Sequence, residues 1–353
     1  MTLGRNVLLR AAAAGLYSSG LYRLFRVPFG GIGSILLFHR VLPPEPAKSF
    51  APNAFLSVST DFFEAVIRTV QAEGYEIVTL SEARRRLVED GARRRPFVCL
   101  TFDDGFRDNY EHAFQICRRY GIPMTVFVTT GFIDRQYPMW WMGLEEIIAS
   151  EDSIAVSFRG RDYVFETATA DQKMAAFDAL RNLLAHLDAA GHDALIHALL
   201  ACYPVDLRSL TDHSALTWDM IEEMDASGLV EFGAHTVRHL GLSAQDVATA
   251  RAEMELGRTR LAERVRQPVV HFAYPFGGRL EAADREFRLA EELNFATAVT
   301  TRMGNIMAGH RDHLHCLPRL SVGGRLASLP GLRMMLRGLI PAFVNGFRPM
   351  VTA

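Results

Sequence analysis

The chain has 353 residues, which is enough for one large domain or two modest ones. Hydrophobic residues make up 49% of the sequence, as expected for a globular protein with a full core. A formal net charge of −2 gives no basic excess, which argues against a nucleic acid partner. The four cysteines form no C-x-x-C pair, so neither a disulfide framework nor a zinc knuckle is predicted.

The N-terminal segment, residues 1–33, is predicted to be amphipathic and helical rather than a signal peptide. Arg10 interrupts its apolar run, and the uninterrupted stretch 11–16 is shorter than the roughly 7–15 residues of a signal-peptide core. We expect this segment to pack on the domain, and contact with a membrane surface is the alternative. Without a clear signal peptide, the expected location is the cytoplasm or the inner face of the membrane.

Apolar runs alternate with helical patterns along most of the chain. The run 35–38 predicts a first buried strand, and residues 62–70 have helical spacing with Thr60 or Asp61 as the cap. Continuous apolar strands that alternate with helices are typical of a parallel sheet covered by helices. Further strands are predicted at 97–100, 124–128, 229–235, 269–278, 295–300 and 317–322.

The alternation lapses between about residues 133 and 215. We interpret this stretch as a mostly helical insertion, and we assign Trp140 and Trp141 to its own small core rather than to a binding surface. The rest of 34–322 is predicted to form one domain. Residues 323–353 are predicted to form an apolar helical tail that, like the N-terminal segment, could contact a membrane.

Reactive side chains follow several of the predicted strands. The run 97–100 leads through Thr101 and Phe102 into Asp103 and Asp104, while His39, His235 and Tyr274 end other runs. In parallel α/β folds, the carboxyl ends of the strands gather reactive residues at one edge. Adjacent carboxylates repel each other and need a positive partner, which a metal, an arginine or a helix N-terminus could provide.

His235 and His239 are spaced i, i+4, which on a turn of helix would place both imidazoles on one face. With Asp104 they would make a three-ligand metal site with an open position for water. Asp103 would stay free as a base, and a divalent ion lowers the pKa of bound water toward about 7. The alternative is a simple turn in which an aspartate caps the next helix.

Three motifs resemble the polysaccharide deacetylase family, also called the NodB homology domain or carbohydrate esterase family 4. TFDDG at 101–105 resembles its T-F-D-D-G motif, and HTVRH at 235–239 resembles H-[ST]-x-x-H. YPFG at 274–277 resembles the third motif, which borders the substrate groove. The resemblance makes 34–322, less the insertion, the catalytic domain. It implies an α/β fold, a distorted (β/α) barrel with parallel strands, and metal-dependent hydrolysis of N-acetyl groups on sugars.

By position, the resemblance also implies the roles of individual residues. Asp103 would be the general base, and the metal would be a divalent ion, most often zinc. The backbone near Tyr274 would help to hold the oxyanion. The implied metal ligands are Asp104, His235 and His239. The implied substrate-binding residues are Tyr274, Pro275 and Phe276.

The sequence departs from the family pattern in two places. The arginine expected before the third motif is absent from 270–273, and the aspartate-tryptophan motif is not apparent. Arg319 is our candidate to replace that charge near Asp103, and we group it with the substrate-binding residues. The late L-x-H motif is matched only loosely by 312–317, so His315 is the first candidate for the general acid and His39 the second.

The predicted function is a metal-dependent hydrolase that removes N-acetyl groups from a carbohydrate, such as a chitooligosaccharide-like substrate. Its partner is then an N-acetylated glycan. One alternative is a hydrolase that uses the same site on an O-acetyl ester or a non-sugar amide. Another is a carbohydrate-binding protein whose catalysis has decayed; the missing arginine favours it, and the intact acid pair and histidine pair argue against it.

Overall fold

The computed structural model of the chain describes residues 18–46, 48–90, 95–324 and 327–352. The predicted helical character of residues 1–17 therefore lies outside the described residues. From Ser18 onward, the chain forms two short helical turns, Leu21–Phe25 and Arg26–Phe29, before the first strand.

The described residues contain strands that alternate with helices. The strands are β1 Gly33–Phe38, β2 Arg40–Leu42, β3 Ser57–Ser59, β4 Glu76–Ile77, β5 Phe97–Phe102, β6 Met124–Val128, β7 Ser153–Phe158, β8 Arg161–Glu166, β9 Val230–Ala234, β10 His271–Ala273, β11 Thr297–Met303 and β12 Leu317–Ser321. The longer helices are Thr60–Ala72, Leu80–Arg85, Gln115–Tyr120, Trp140–Ser150, Ala170–Ala185, Ala189–Cys202, Leu207–Ser214, Trp218–Ala226, Val247–Ala262, Asp284–Glu292, Leu329–Leu336 and Leu339–Val344.

Seven parallel strands close into a barrel. Their order is β1-β12-β11-β10-β9-β6-β5, and β5 pairs with β1 to complete the ring. One edge of β5 pairs with β1 along the whole length of β5. On its other edge, the first residues of β5 pair with β4 and its last residues pair with β6. The prediction of a (β/α) barrel of parallel strands is therefore confirmed.

The interior of the barrel is filled by one set of alternating side chains. Successive residues of a strand point to opposite faces, and the odd-numbered residues of the barrel strands form the inner set. Their even-numbered neighbours belong to the larger cluster that packs under the helices. Apolar members of the inner set are Ile35, Phe97, Phe127, Val299 and Leu317.

Helix Thr60–Ala72 shows how the sequence fixes a helix on the outside of the barrel. Phe63, Val66, Ile67 and Val70 are fully buried and form the apolar face that the helical spacing predicted. Its cap differs from the prediction: Ser59 Oγ accepts a hydrogen bond from Phe62 N at 3.1 Å, because the helix begins one residue after Ser59.

The predicted insertion between β6 and β9 is mostly helical in the structure. It contains helix Trp140–Ser150, the antiparallel hairpin β7–β8, and three further helices that end at Ser214. Strand β7 buries every second residue against these helices. The prediction of a mostly helical insertion is confirmed, while the boundaries at 133 and 215 stay predictions.

Helix Leu329–Leu336 of the C-terminal tail is fastened to helix Thr60–Ala72 by an ion-pair cluster. Arg333 Nε lies 3.1 Å from one Glu73 oxygen, and Arg337 Nη2 lies 2.5 Å from the other. Burial raises the pKa of Glu73, but hydrogen bonds from Arg337 and Arg333 outweigh it and hold the pKa below its ordinary value. Within the described part of the chain, no helix is long and apolar enough to span a membrane.

Glu73→Gln should therefore lower the free energy of unfolding by about 1–2 kcal/mol at pH 7, measured by urea denaturation. The folded-state pKa is depressed, so this contribution is present above the unfolded pKa of about 4.3 and is lost as the pH falls below it. The difference between wild type and variant should shrink below about pH 4. Glu292→Gln, which breaks the exposed pair with Arg251, is the matched control and should cost less than about 1 kcal/mol. If the difference in free energy of unfolding stayed constant with pH, the stabilisation could not come from the ionised Glu73 carboxylate.

Candidate active site

The acid pair lies where β5 leaves the barrel. Asp103 N still donates to Phe38 O at 3.1 Å, so the chain follows the sheet up to this residue. Asp104 and Gly105 then turn away with φ of 75° and 80°. A left-handed φ is costly for a residue with a Cβ and is found where the surroundings hold it in place. This turn leaves the Asp103 and Asp104 carboxylates almost completely buried, side by side in sequence.

The positive partner of Asp103 is Arg319 on β12. Arg319 Nη1 and Nη2 lie 2.7 and 2.6 Å from the two Asp103 oxygens, a bidentate contact between fully buried side chains. Arg319 Nε donates to Thr300 O at 2.9 Å, which fixes the plane of the guanidinium. Burial raises the pKa of Asp103, but the Arg319 charge and its hydrogen bonds hold the pKa below the ordinary value.

Asp104 has different neighbours, the two histidines of the HTVRH motif. Its Oδ1 lies 3.3 Å from His235 Nε2 and 3.2 Å from His239 Nε2. One ligand atom from each of the three residues falls within 4.8 Å of the others, and all three side chains are buried. Asp104 Oδ1 has no hydrogen-bond donor among the described residues. His235 Nδ1 contacts Ala273 O at 2.7 Å, which directs the Nε2 lone pair toward Asp104. The residues therefore fit a metal ion.

The HTVRH motif is a strained loop and not the expected turn of helix. Thr236 and His239 have φ of 66° and 57°. Glu253, on helix Val247–Ala262, accepts hydrogen bonds from Val237 N and Arg238 N at 3.0 and 2.9 Å. These contacts replace the hydrogen bonds of a helix, so the expectation of a helical turn was wrong although both imidazoles face Asp104.

Two glycines let the rest of the protein approach this loop. A Cβ on Gly131 would lie 2.4 Å from Val237 O, and a Cβ on Gly257 would lie 2.9 Å from the Thr236 carbonyl carbon. No side chain larger than hydrogen fits at such distances. Sequence reasoning missed both glycines, because a glycine within a helical pattern carries no signal of what packs against it.

A cavity of about 280 Å³ opens above the acid pair and the histidines. His39 lines it as a half-buried side chain at the end of β1. Burial lowers the pKa of His39, while the Asp104 and Asp103 charges act in the opposite direction. The lining residues from the predicted site are His39, Asp103, Asp104, His235, His239 and Phe276.

Phe276 is the member of the YPFG motif that reaches the cavity. Its φ is 60°, its carbonyl accepts a hydrogen bond from Thr301 Oγ1 at 2.7 Å, and its ring lies 5.0 Å from that of His239. The Tyr274 side chain instead points into the core, where its hydroxyl donates to His315 O at 2.9 Å. Neither Tyr274 nor Pro275 lines the cavity. The structure therefore does not place these two side chains where a substrate would contact them.

His315 and Arg319 require corrections. His315 precedes β12, and its Nε2 contacts Phe295 O, which precedes β11, at 2.8 Å. Both residues lie at the amino ends of parallel strands, so His315 sits at the end of the barrel opposite the acid pair and cannot act there. Arg319 is completely buried and does not line the cavity, so it contacts Asp103 and not a substrate.

Side chains of the insertion and of the segment before β3 complete the cavity. Trp140 and Trp141 belong to the core, as predicted, yet both also line the cavity, and the Trp141 ring lies 5.0 Å from that of His239. Arg181 also lines it, with Cζ 5.8 Å from the centre of the Phe276 ring. Sequence reasoning missed Arg181, because a single arginine in a helical pattern is normally assigned to the solvent-exposed face of the helix.

Comparison with known proteins agrees with this geometry. Residues 90–297, more than half of the chain, match the family model described as polysaccharide deacetylase. A curated relative, YxkH of Bacillus subtilis (strain 168), is described as a candidate polysaccharide deacetylase and is 32% identical over 94 residues. That alignment covers 27% of this chain and 30% of YxkH, so the chain matches less than a third of that protein's length.

Solved structures share the fold. The deacetylase PplD of Streptococcus pyogenes, in complex with acetate, has a TM-score of 0.56 and 22% identity, and the match covers 86% of this chain and 97% of PplD. IcaB from Ammonifex degensii has a TM-score of 0.53 and 19% identity, and the match covers 86% of this chain and 97% of IcaB. BA0330 from Bacillus anthracis, described as a candidate polysaccharide deacetylase, has a TM-score of 0.54 and 16% identity, and the match covers 86% of this chain and 68% of BA0330. Since the family model spans most of the barrel and its motifs, the chain belongs to the polysaccharide deacetylase family.

Proposed function

We propose that the protein is a metal-dependent hydrolase that removes N-acetyl groups from a carbohydrate. The observation that carries this proposal is that the two carboxylates of the acid pair have different partners. Asp103 is held by Arg319, while Asp104 turns toward two imidazoles. Hydrolysis of an amide needs both a base for water and an electrophile for the carbonyl, and this arrangement can provide both.

Asp104, His235 and His239 would hold the metal. A site of one carboxylate and two imidazoles with an open position is typical of catalytic zinc. When bound, a divalent ion would act as a Lewis acid toward the acetyl carbonyl and would promote ionisation of water. The contact of His235 Nδ1 with Ala273 O, a backbone acceptor, supports this role, because metal-bound histidines usually donate their other nitrogen in this way.

Asp103 would accept the proton of the attacking water. A general base must be ionised before the reaction, and the contact with Arg319 keeps Asp103 ionised despite complete burial. Each carboxylate oxygen retains a second lone-pair direction that Arg319 does not use. Arg319 is therefore a positioning residue: it acts through Asp103 and does not touch the substrate.

His39 is our candidate to protonate the leaving nitrogen. It lines the same cavity as Asp103 and Asp104, whereas His315 lies at the other end of the barrel. A general acid must carry a proton when the carbon–nitrogen bond breaks. Burial lowers the pKa of His39 and disfavours its imidazolium form, while the neighbouring Asp104 and Asp103 charges favour that form.

The first test is acetate release from N-acetylglucosamine oligomers by chelator-treated protein, before and after Zn²⁺ is added back. We expect release to disappear with the chelator and to return with Zn²⁺, because the electrophile is restored. Asp103→Asn should still bind zinc but lose about 10²–10⁴ of the rate. A parallel panel of O-acetylated sugars separates amide from ester hydrolysis. Binding of the oligomers without acetate release in any metal-loaded sample would instead favour a decayed carbohydrate-binding protein.

Arg319→Gln should lower the free energy of unfolding by about 3–5 kcal/mol, because it leaves the Asp103 charge buried without a partner. Urea denaturation would measure this loss. The double variant Asp103→Asn, Arg319→Gln should recover much of it, since no charge remains buried. Arg251→Gln, from the exposed pair with Glu292, is the control and should cost less than about 1 kcal/mol. If Arg319→Gln proved as stable as the wild type, the proposal that Arg319 stabilises the buried charge of Asp103 would be wrong.

We further propose that the two ends of the described chain contact an anionic membrane surface. Their exposed apolar side chains form a terminal patch of Leu21, Leu24, Phe343, Val344, Phe347 and Met350. The two ends meet at this patch, because the Phe343 ring lies 5.1 Å from that of Phe347 and 6.4 Å from that of Phe25. Exposed Arg348 adds a positive charge beside it, which suits acidic lipid headgroups.

Sedimentation with vesicles tests this surface. The protein should sediment with phosphatidylserine-containing vesicles more than with phosphatidylcholine vesicles, and high salt should weaken the binding. Val344→Asp with Phe347→Asp should abolish it. Leu256→Asp with Leu280→Asp, two exposed leucines outside the patch, is the matched control and should leave it unchanged. Equal recovery in the supernatant with both kinds of vesicle would refute the proposal.

A further inference from the structure

A second cavity, of about 560 Å³, lies beside the candidate active site and is the larger of the two. Its volume falls within the roughly 300–1,000 Å³ of ligand pockets. Its walls come from the insertion, except for one residue of the HTVRH motif. Its charged and titratable lining residues include Arg135, His192, Asp193, Arg208 and Arg238.

Two residues connect this insertion cavity with the candidate active site. Trp140 lines both cavities. Arg238 stands directly before His239 in the HTVRH motif, yet its side chain extends into the insertion. Its Nη2 lies 2.5 Å from an Asp193 oxygen, and its Cζ lies 4.5 Å from the centre of the Tyr137 ring. The loop that carries the two histidines therefore forms part of the wall of the second cavity.

The wall also carries buried nitrogens without protein partners. Trp140 Nε1, Arg238 Nε and both ring nitrogens of His192 have no hydrogen-bond partner among the described residues. The nearest acidic oxygen to His192, from Asp193, is 3.7 Å away, beyond hydrogen-bond distance. Indole and guanidinium nitrogens only donate, so the wall offers an excess of donors. Such groups are costly to bury unless water or the acceptor groups of a bound molecule contact them.

The charges of the wall indicate the sign of the charge on that molecule. Arg238 is paired with Asp193, and Arg135 is paired with Asp212 at 2.7 Å. Arg208 is exposed, and no acidic partner for it is found among the described residues. The wall therefore keeps one uncompensated positive charge. Ile196, Leu200 and Leu207 add an apolar side to the cavity.

We propose that the insertion cavity binds an anionic sugar unit, a sugar ring that carries a carboxylate or a phosphate. The apolar and aromatic side chains suit the C–H faces of the ring, the unpartnered donors suit its hydroxyl oxygens, and Arg208 suits its negative charge. That this unit belongs to the same glycan as the acetylated sugar rests on the proposed function. The binding site itself does not depend on it.

The test is direct binding to the full-length, zinc-loaded protein, measured by saturation-transfer NMR. The probes are glucuronate, glucose 6-phosphate and neutral glucose. We expect at least one anionic sugar to bind at least tenfold more tightly than glucose, and the two probes decide between a carboxylate and a phosphate. Repetition after chelation identifies any contact of an anionic sugar with zinc, because binding in the insertion cavity should survive it.

Two variants locate the binding. Leu200→Trp fills the cavity and should abolish binding of the anionic sugar, while Arg208→Ala should weaken it about tenfold. Arg208 is exposed, so this variant should fold even if Leu200→Trp does not. Arg288→Ala, another exposed helical arginine, is the matched control and should bind like the wild type.

The proposal is overturned if glucose binds as tightly as both anionic sugars, or if Arg208→Ala binds like the wild type. Its failure can be told apart from failure of the proposed function. Loss of binding in the insertion cavity would leave acetate release from N-acetylglucosamine oligomers as observed. Absence of acetate release would leave the binding result standing.

Discussion

The buried ion pair between Asp103 and Arg319 is the constraint on which the site depends. Two charges removed from water are costly unless their geometry is good and their remaining hydrogen bonds are satisfied. Both conditions are met here, because the pair is bidentate and Arg319 also donates to Thr300 O. The two residues are 216 positions apart in sequence. Asp103 directly follows β5 and Arg319 lies on β12, and these two strands flank β1. Asp103, the proposed base, is therefore fixed in place only once the barrel has closed.

Closure of the barrel also explains why strained backbone is concentrated at the three motifs. Asp104, Thr236, His239 and Phe276 are four of the eight described non-glycine residues with a left-handed φ. Each follows the carboxyl end of a parallel strand, where the chain must turn sharply while its side chain points inward. Residues in this region are held by their surroundings. Here Thr301 of β11 donates to Phe276 O, and Glu253 accepts from Val237 N and Arg238 N of the histidine loop. The strained backbone is thus a consequence of directing several side chains of the three motifs into one small cavity.

Local patterns in the sequence predicted most of what depends on local structure. Continuous apolar runs predicted the barrel strands, and the strand-end location of Asp103 and His235 predicted that they meet. What failed depended on distant contacts or on strand direction. His315 matched a short pattern of letters, but it precedes β12 and so lies at the wrong end of the barrel. The helical turn expected for the HTVRH motif failed because Glu253, on another element, takes the backbone hydrogen bonds of the loop.

The barrel and the insertion divide the work of the site between them. Asp103, Asp104 and the two histidines follow strand ends, so in the proposed function the barrel sets the reaction type. Trp140, Trp141 and Arg181 come from the insertion and form part of the remaining wall, so in that function they would contact whatever carries the acetyl group. Arg238 joins the two parts, because it shares a five-residue motif with the histidines and pairs with Asp193 of the insertion. A change in the insertion can therefore alter which glycan is accepted without moving the reacting groups, whereas a change at Arg238 would disturb both.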